Sequence, residues 1–131
     1  MRMTPKSARH KRQAQKRGRW GEWRCRLALN LTGWSVLHHG YTGKPGSGAG
    51  EIDLIAQRGD VLAFIEVKTR PDIQQGLEAV SVDQQARIAR GAERFLALHP
   101  NLSTLDLRFD VMVVRPWLWP VRFTNVWQIV T

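Results

Sequence analysis

The chain is constrained most by two β-rich runs, residues 51–58 and 61–69, separated only by Gly59-Asp60. Glycine at the first of two central positions suits a type II′ hairpin turn, whose backbone twist matches that of the flanking strands. A two-residue turn also sets the register. Arg58 then faces Val61, Asp53 faces Glu66 and Glu51 faces Lys68. Opposed residues project from one face with Cβ atoms about 4.5–5.5 Å apart, and Glu66 and Lys68, two apart on a strand, share that face. The register gathers Glu51, Asp53, Glu66 and Lys68 on one surface and Ile52, Leu54, Ala56, Ala63, Ile65 and Val67 on the other. A slip of one residue would send Asp53 and Glu66 to opposite faces.

Around this hairpin the pattern predicts further elements. Residues 21–31 suit a helix, with Trp23, Leu27 and Leu31 as an apolar stripe and Gly33 as its stop. Residues 34–37 form a short strand candidate, and 40–50, with five glycines, a flexible loop. Residues 70–77, which contain Pro71 and Gly76, read as a connection. A helix is predicted from 78 or 83 to 98, ended by Pro100. Residues 105–114 and 121–130 read as strands separated by Pro116 and Pro120. The order α-β-β-β-α-β-β predicts an α/β fold, a mixed sheet flanked by helices.

Opposed like charges repel, so Asp53 against Glu66 is a local conflict of the kind that marks functional sites. A divalent cation resolves it, and ligands that are all oxygen favour Mg²⁺ or Mn²⁺. Mg²⁺ keeps several of its waters, as hydrolysis of a phosphodiester requires. Lys68 could hold the attacking water or neutralise developing charge. The competing reading is a solvated strand face carrying a lysine–carboxylate pair.

The Asp…Glu-x-Lys arrangement resembles the core of the restriction-endonuclease-like, or PD-(D/E)xK, nuclease superfamily. More closely, the chain is identified as a member of the uncharacterised YraN-like family, whose relatives include archaeal Holliday-junction resolvases. The resemblance spans about residues 20–115. It rests on Gly21-Glu22, Leu29, Gly33, the segments 50–55 (Gly-Glu-Ile-Asp-Leu-Ile) and 64–70 (Phe-Ile-Glu-Val-Lys-Thr-Arg), Ala92, Leu96 and Arg108-Phe-Asp-Val111. It implies that Asp53 and Glu66 are metal ligands, Lys68 the catalytic lysine, and Glu22 the helical glutamate that joins the site. Helix-dipole stabilisation is the other account of Glu22. Glu51 is expected to pair with Lys68 or orient the loop, and Asp110 to brace the sheet. Where the family often has a lysine followed by glutamine, this chain has Gln84 and Gln85. The implied activity is a Mg²⁺-dependent endonuclease acting on DNA in preference to RNA, at branched or damaged structures. The alternative is a nucleic-acid-binding protein that keeps the nuclease fold without turnover.

Charge supports a polyanionic partner. The formal net charge of +9 lies entirely in residues 1–30, which hold ten Lys or Arg against Glu22 alone. Residues 1–18 read as a disordered basic arm and 19–131 as one nuclease-like domain, with Lys11, Arg12, Lys16, Arg17 and Arg19 expected to bind nucleic acid. A solubilising tail is the plainer reading of the arm. Cys25 is the single cysteine, so no internal disulfide forms; it is expected in the core. No apolar run approaches the roughly 18–20 residues that span a bilayer, and a cytoplasmic location is expected. His38 and His39 lack partners at zinc-ligand spacing. Among the six tryptophans, Trp117, Trp119 and Trp127 read as core or homodimer interface in preference to base-stacking platforms.

Overall fold

The computed structural model describes residues 20–42 and 51–127. Helix α1 occupies residues 20–31. Strands β1 (Ser35–Tyr41), β2 (Ile52–Arg58) and β3 (Val61–Thr69) follow, then helices α2 (Ile73–Glu78) and α3 (Val82–Leu98), a 3₁₀ turn (Pro100–Leu102), and strands β4 (Asp106–Val114) and β5 (Val121–Trp127). The strands form one mixed sheet in sequence order, with β3 and β4 the parallel pair. A parallel pair needs a crossover, and α2 and α3 supply it. The expected α/β architecture is therefore present, with one helix more than the predicted order.

The β2–β3 register is the one the turn requires, from Arg58↔Val61 to Leu54↔Ile65. Gly59 has φ +56° and Asp60 is not among the positive-φ residues, the combination that separates type II′ from type I′. Helix α1 ends in a Schellman motif at Gly33, φ +87°: the N–H of Trp34 donates to Leu29 O at 3.0 Å and that of Gly33 to Asn30 O at 3.3 Å.

The buried face of α1 differs from the predicted stripe. Trp23 is 52% and Leu31 68% exposed, and Leu27 is exposed as well. Gly21, Cys25, Ala28 and Leu29 face the sheet instead. The reason is steric. A Cβ on Gly21 would lie 2.8 Å from Thr69 Oγ1, so the helix approaches too closely for an indole to fit beneath it. Cys25 is fully buried, as expected.

The connection predicted at 70–77 contains α2. Asp72 caps it, its Oδ1 accepting the Gln75 N–H at 2.8 Å, and Pro71 precedes the cap. Gly76 is within the helix because α2 packs hard on β4: a Cβ there would lie 2.6 Å from both Val113 methyls. Strand β1 extends past its predicted end to Tyr41; residues 43–50 of the glycine-rich loop and 128–130 of the predicted last strand lie outside the described residues.

Two cores result. Cys25, Ala28, Leu29 and Trp34 pack on Leu54, Ala56, Ala63, Ile65 and Met112, while Ile88, Ala92 and Phe95 of α3 cover Ile55, Leu62, Phe64 and Phe109. Both faces of the hairpin are thus buried. Replacing Gly76 with Ala should cost about 1–3 kcal/mol through overpacking. Urea denaturation should show the loss and its partial recovery in Gly76→Ala/Val113→Ala.

Candidate metal centre

The β2–β3 pairing stops at Leu54↔Ile65, and the two strands part beyond it. In antiparallel alternation the next rung would tie the Val67 N–H to the β2 backbone. Asp53 takes its place, Oδ2 accepting that N–H at 2.8 Å. Opposite it, Glu66 is 6% exposed. The Lys68 ammonium lies 3.4 Å from Glu66 Oε1, and Gln84 Nε2 donates to the same oxygen at 3.0 Å. Asp53 and Glu66 lie close enough to raise or lower one another's ionisation, and Glu22, reaching in from α1, is likewise perturbed by Asp53. Helices on both faces of the sheet therefore contribute to the site.

The electrostatics follow from burial. Burial, then the Asp53 charge, pushes the Glu22 carboxyl up to about 7. Asp53 and Glu66 are also raised, burial being the largest cause for each; the Val67 N–H opposes it at Asp53 and Lys68 opposes it at both. Two neighbouring carboxyls that are both raised disfavour full ionisation of the pair. Among the described residues, no three His, Cys, Asp or Glu side chains are arranged to enclose an ion. The donor set fits a hard cation that keeps part of its water shell, with Asp53 and Glu66 as the residues that would hold it and Glu22 beside Asp53.

Asp53, Glu66, Lys68 and Glu22 are thus brought together. The site is not the solvated strand surface of the competing reading, because Glu66 is buried and held by Gln84 of α3 while α1 brings Glu22 to Asp53 from the other face. Glu51 is exposed and near Thr42, whose hydroxyl is 3.5 Å from Glu51 Oε1, while Lys68 pairs with Glu66. Gln84 is the site residue whose part the sequence did not reveal. Ser81, whose Oγ accepts the Gln84 N–H at 3.1 Å, starts α3 and puts Gln84 in its first turn. The Ser-x-x-Gln spacing marks such a start, but only packing decides that the amide meets Glu66. Asp110 braces the sheet: it is fully buried, takes two bonds from Arg108 at 2.9 Å, and accepts the N–H of Asn125, a left-handed residue where β5 bulges. Lys11, Arg12, Lys16, Arg17 and Arg19 lie outside the described residues.

Comparison with known proteins places this geometry in a family. Residues 21–114 match the model of the uncharacterised protein family UPF0102. The chain belongs to that family. A UPF0102 protein of Paramagnetospirillum magneticum is 42% identical over 129 residues, covering 98% of this chain and 99% of the relative. One from Chelativorans sp. is 42% identical over 117 residues, covering 89% and 91%. Among solved structures, Archaeoglobus fulgidus Hjc, described as a Holliday junction resolvase from an archaeal hyperthermophile, superposes with a TM-score of 0.53 at 18% identity. The match covers 78% of this chain and 71% of Hjc. That likeness concerns the fold, and it agrees with the α/β architecture expected of a restriction-endonuclease-like chain.

In UPF0102 terms, the site makes a prediction about pH. A carboxyl whose folded-state pKa is raised contributes stability below its ordinary range and loses it as pH rises through the folded value. Without divalent cation, thermal stability should fall as pH climbs from 4.5 through about 7, the span over which Glu22 ionises. Mg²⁺ or Mn²⁺ should restore it at the upper end and have little effect at the lower. Glu66→Gln should blunt both trends in a thermal melt.

Proposed function

We propose that this chain is a Mg²⁺- or Mn²⁺-dependent endonuclease hydrolysing phosphodiester bonds in DNA, at branched or damaged structures. The observation that carries the reading is the convergence of Asp53, Glu66 and Lys68 where β2 and β3 part, a buried Glu66 between a half-buried Asp53 and a half-buried Lys68, with the carboxyl pair in electrostatic conflict. DNA is preferred to RNA because the structural neighbour is described as a Holliday junction resolvase.

Asp53 and Glu66 would hold the cation, which when bound supplies Lewis-acid charge at the phosphate and lowers the pKa of bound water. The chain's own groups do the rest. The Val67 N–H fixes the Asp53 carboxylate, and Gln84 and Lys68 fix Glu66. Lys68 stands where an ammonium can orient an attacking water or meet charge on the phosphorane-like transition state. Glu22, its carboxyl pushed up to about 7, is partly protonated at neutral pH and can pass a proton to or from Asp53. The basic residues of 1–18 would add sequence-independent contacts to the phosphate backbone. Binding without turnover is the remaining reading of the same fold.

A Mg²⁺/Mn²⁺ cleavage panel over single-stranded, duplex and branched DNA and RNA tests the proposal. Asp53→Ala and Glu66→Ala should each abolish metal-stimulated cleavage, a loss of at least about 10²-fold, while leaving DNA binding intact. Cleavage that survives both substitutions would overturn it, and binding with no cleavage on any substrate would favour the non-catalytic reading.

A cytoplasmic location is proposed with this activity; among the described residues no helix is long and apolar enough to cross a membrane. A homodimer is proposed through the tryptophan-rich edge. Trp20 stacks on Trp23, Trp20 and Trp117 line one cavity of about 210 Å³, and Trp117 is 98% exposed. Arg24 ties this edge together by donating to the carbonyls of Arg115 and Leu118. Exposed apolar surface of this kind favours self-association. Sedimentation should show a dimer that Trp20→Ser/Trp117→Ser converts to monomer.

A further inference from the structure

A second charge conflict, opposite in sign, lies at the far end of α1. Trp34 follows the Schellman turn and packs on the sheet beneath α1. Three guanidinium groups gather around its ring. The Cζ atoms of Arg58, Arg108 and Arg122 are 5.2, 5.2 and 5.0 Å from the ring centroid. They come from three strands: Arg58 ends β2, Arg108 is near the start of β4, and Arg122 on β5 pairs with Met112.

The negative charge here is insufficient. Asp110 is the neighbouring carboxylate, and it is already occupied by two bonds from Arg108 and one from the Asn125 N–H. Arg58 donates to Thr32 O at 3.2 Å, a neutral acceptor. Cation–π contact with one indole does not remove the mutual repulsion of three cations. Arg122 feels the excess: burial, with repulsion from Arg108 and Arg58, lowers its pKa although Asp110 opposes the shift. A donor is also left over. The Nε1–H of Trp34 is buried and meets no acceptor among the described residues. Of the three arginines, Arg122 lines a neighbouring cavity of about 130 Å³ that opens between Thr32 and Trp119.

We propose that Arg58, Arg108 and Arg122, with the Trp34 N–H, form a phosphate-binding subsite. Guanidinium forks match phosphate oxygens in pairs, and a dianion or a diester would relieve the repulsion among the three. Five residues of β2 separate Asp53 from Arg58, about 17 Å at strand rise. The subsite is therefore distinct from the acidic centre, at the opposite end of α1. Assigning its phosphate to a nucleic-acid backbone rests on the nuclease reading above; a free phosphate compound has the same chemistry.

The test uses the full chain and does not depend on cleavage. In heteronuclear NMR, with the indole signals assigned through Trp34→Phe, inorganic phosphate should shift the Trp34 Nε1–H resonance while chloride at equal ionic strength should not. A short DNA duplex that shifts it, with the shift abolished in Arg58→Gln/Arg122→Gln, identifies the backbone as the source; a shift with phosphate alone retains the subsite and removes the backbone assignment. With Ca²⁺ in place of Mg²⁺, the same double variant should weaken duplex binding and make its salt dependence shallower by about one for each phosphate no longer neutralised. Arg108 is left in place, since its removal would strand the buried Asp110. An unmoved Trp34 resonance with both probes would overturn the proposal, as would a folded double variant with unchanged affinity and salt slope. Failure of the cleavage panel would leave these readouts standing, and failure here would leave the cleavage proposal standing.

Discussion

The molecule is organised around carboxylates buried together where the central hairpin opens. Asp53 and Glu66 meet just past the last rung of the β2–β3 ladder, between helices on both faces of the sheet, and are opposed by one ammonium. Burial of like charges is unfavourable unless a proton or a cation intervenes. The surrounding structure is arranged to hold the conflict in place. The ladder ends so that Asp53 can take the Val67 N–H, α3 starts so that Gln84 reaches Glu66, and α1 enters close enough to bring Glu22 onto Asp53.

Helix α1 links the two charge clusters of the molecule. Its first turn carries Glu22 to the acidic centre, and its Schellman turn delivers Trp34 to the three arginines. Its close seating on the sheet, permitted by Gly21, makes both contacts available. The same seating leaves Trp20, Trp23, Leu27 and Leu31 outside, and Trp20, stacked on Trp23, joins Trp117 along one edge. One steric fact therefore bears on the metal centre, the arginine cluster and the exposed tryptophans.

Local chemistry made part of this legible. The Gly59-Asp60 turn is short enough that one register follows from it, so the pairing from Arg58 with Val61 to Leu54 with Ile65 is readable from the chain alone; the expected rung of Asp53 with Glu66 lies past the end of the ladder, where Asp53 takes the Val67 N–H instead. Caps were legible only where nothing overrode them: Gly33 stopped α1 as expected, whereas Pro71 and Gly76 suggested a connection and proved to flank and occupy α2. Gly76 is present because Val113 leaves no room for a side chain, and that neighbour is distant in sequence. Glu51 was expected beside Lys68, but the ladder ends too early for the register to extend that far.

What the sequence by itself determined was periodic and local: a mixed α/β order, a hairpin of known register, an acidic pair with a lysine two residues on, and a charge excess confined to the first thirty residues. Tertiary structure decided what depends on separation and volume. Periodicity marks a helix as amphipathic but does not say how close it will lie to a sheet, so the Trp23-Leu27-Leu31 stripe faces outward while Cys25, Ala28 and Leu29 fill the narrow interface. Nor could spacing reveal that Gln84 meets Glu66, or that arginines from three strands share one indole, because those contacts join residues 18 to 88 positions apart in the chain.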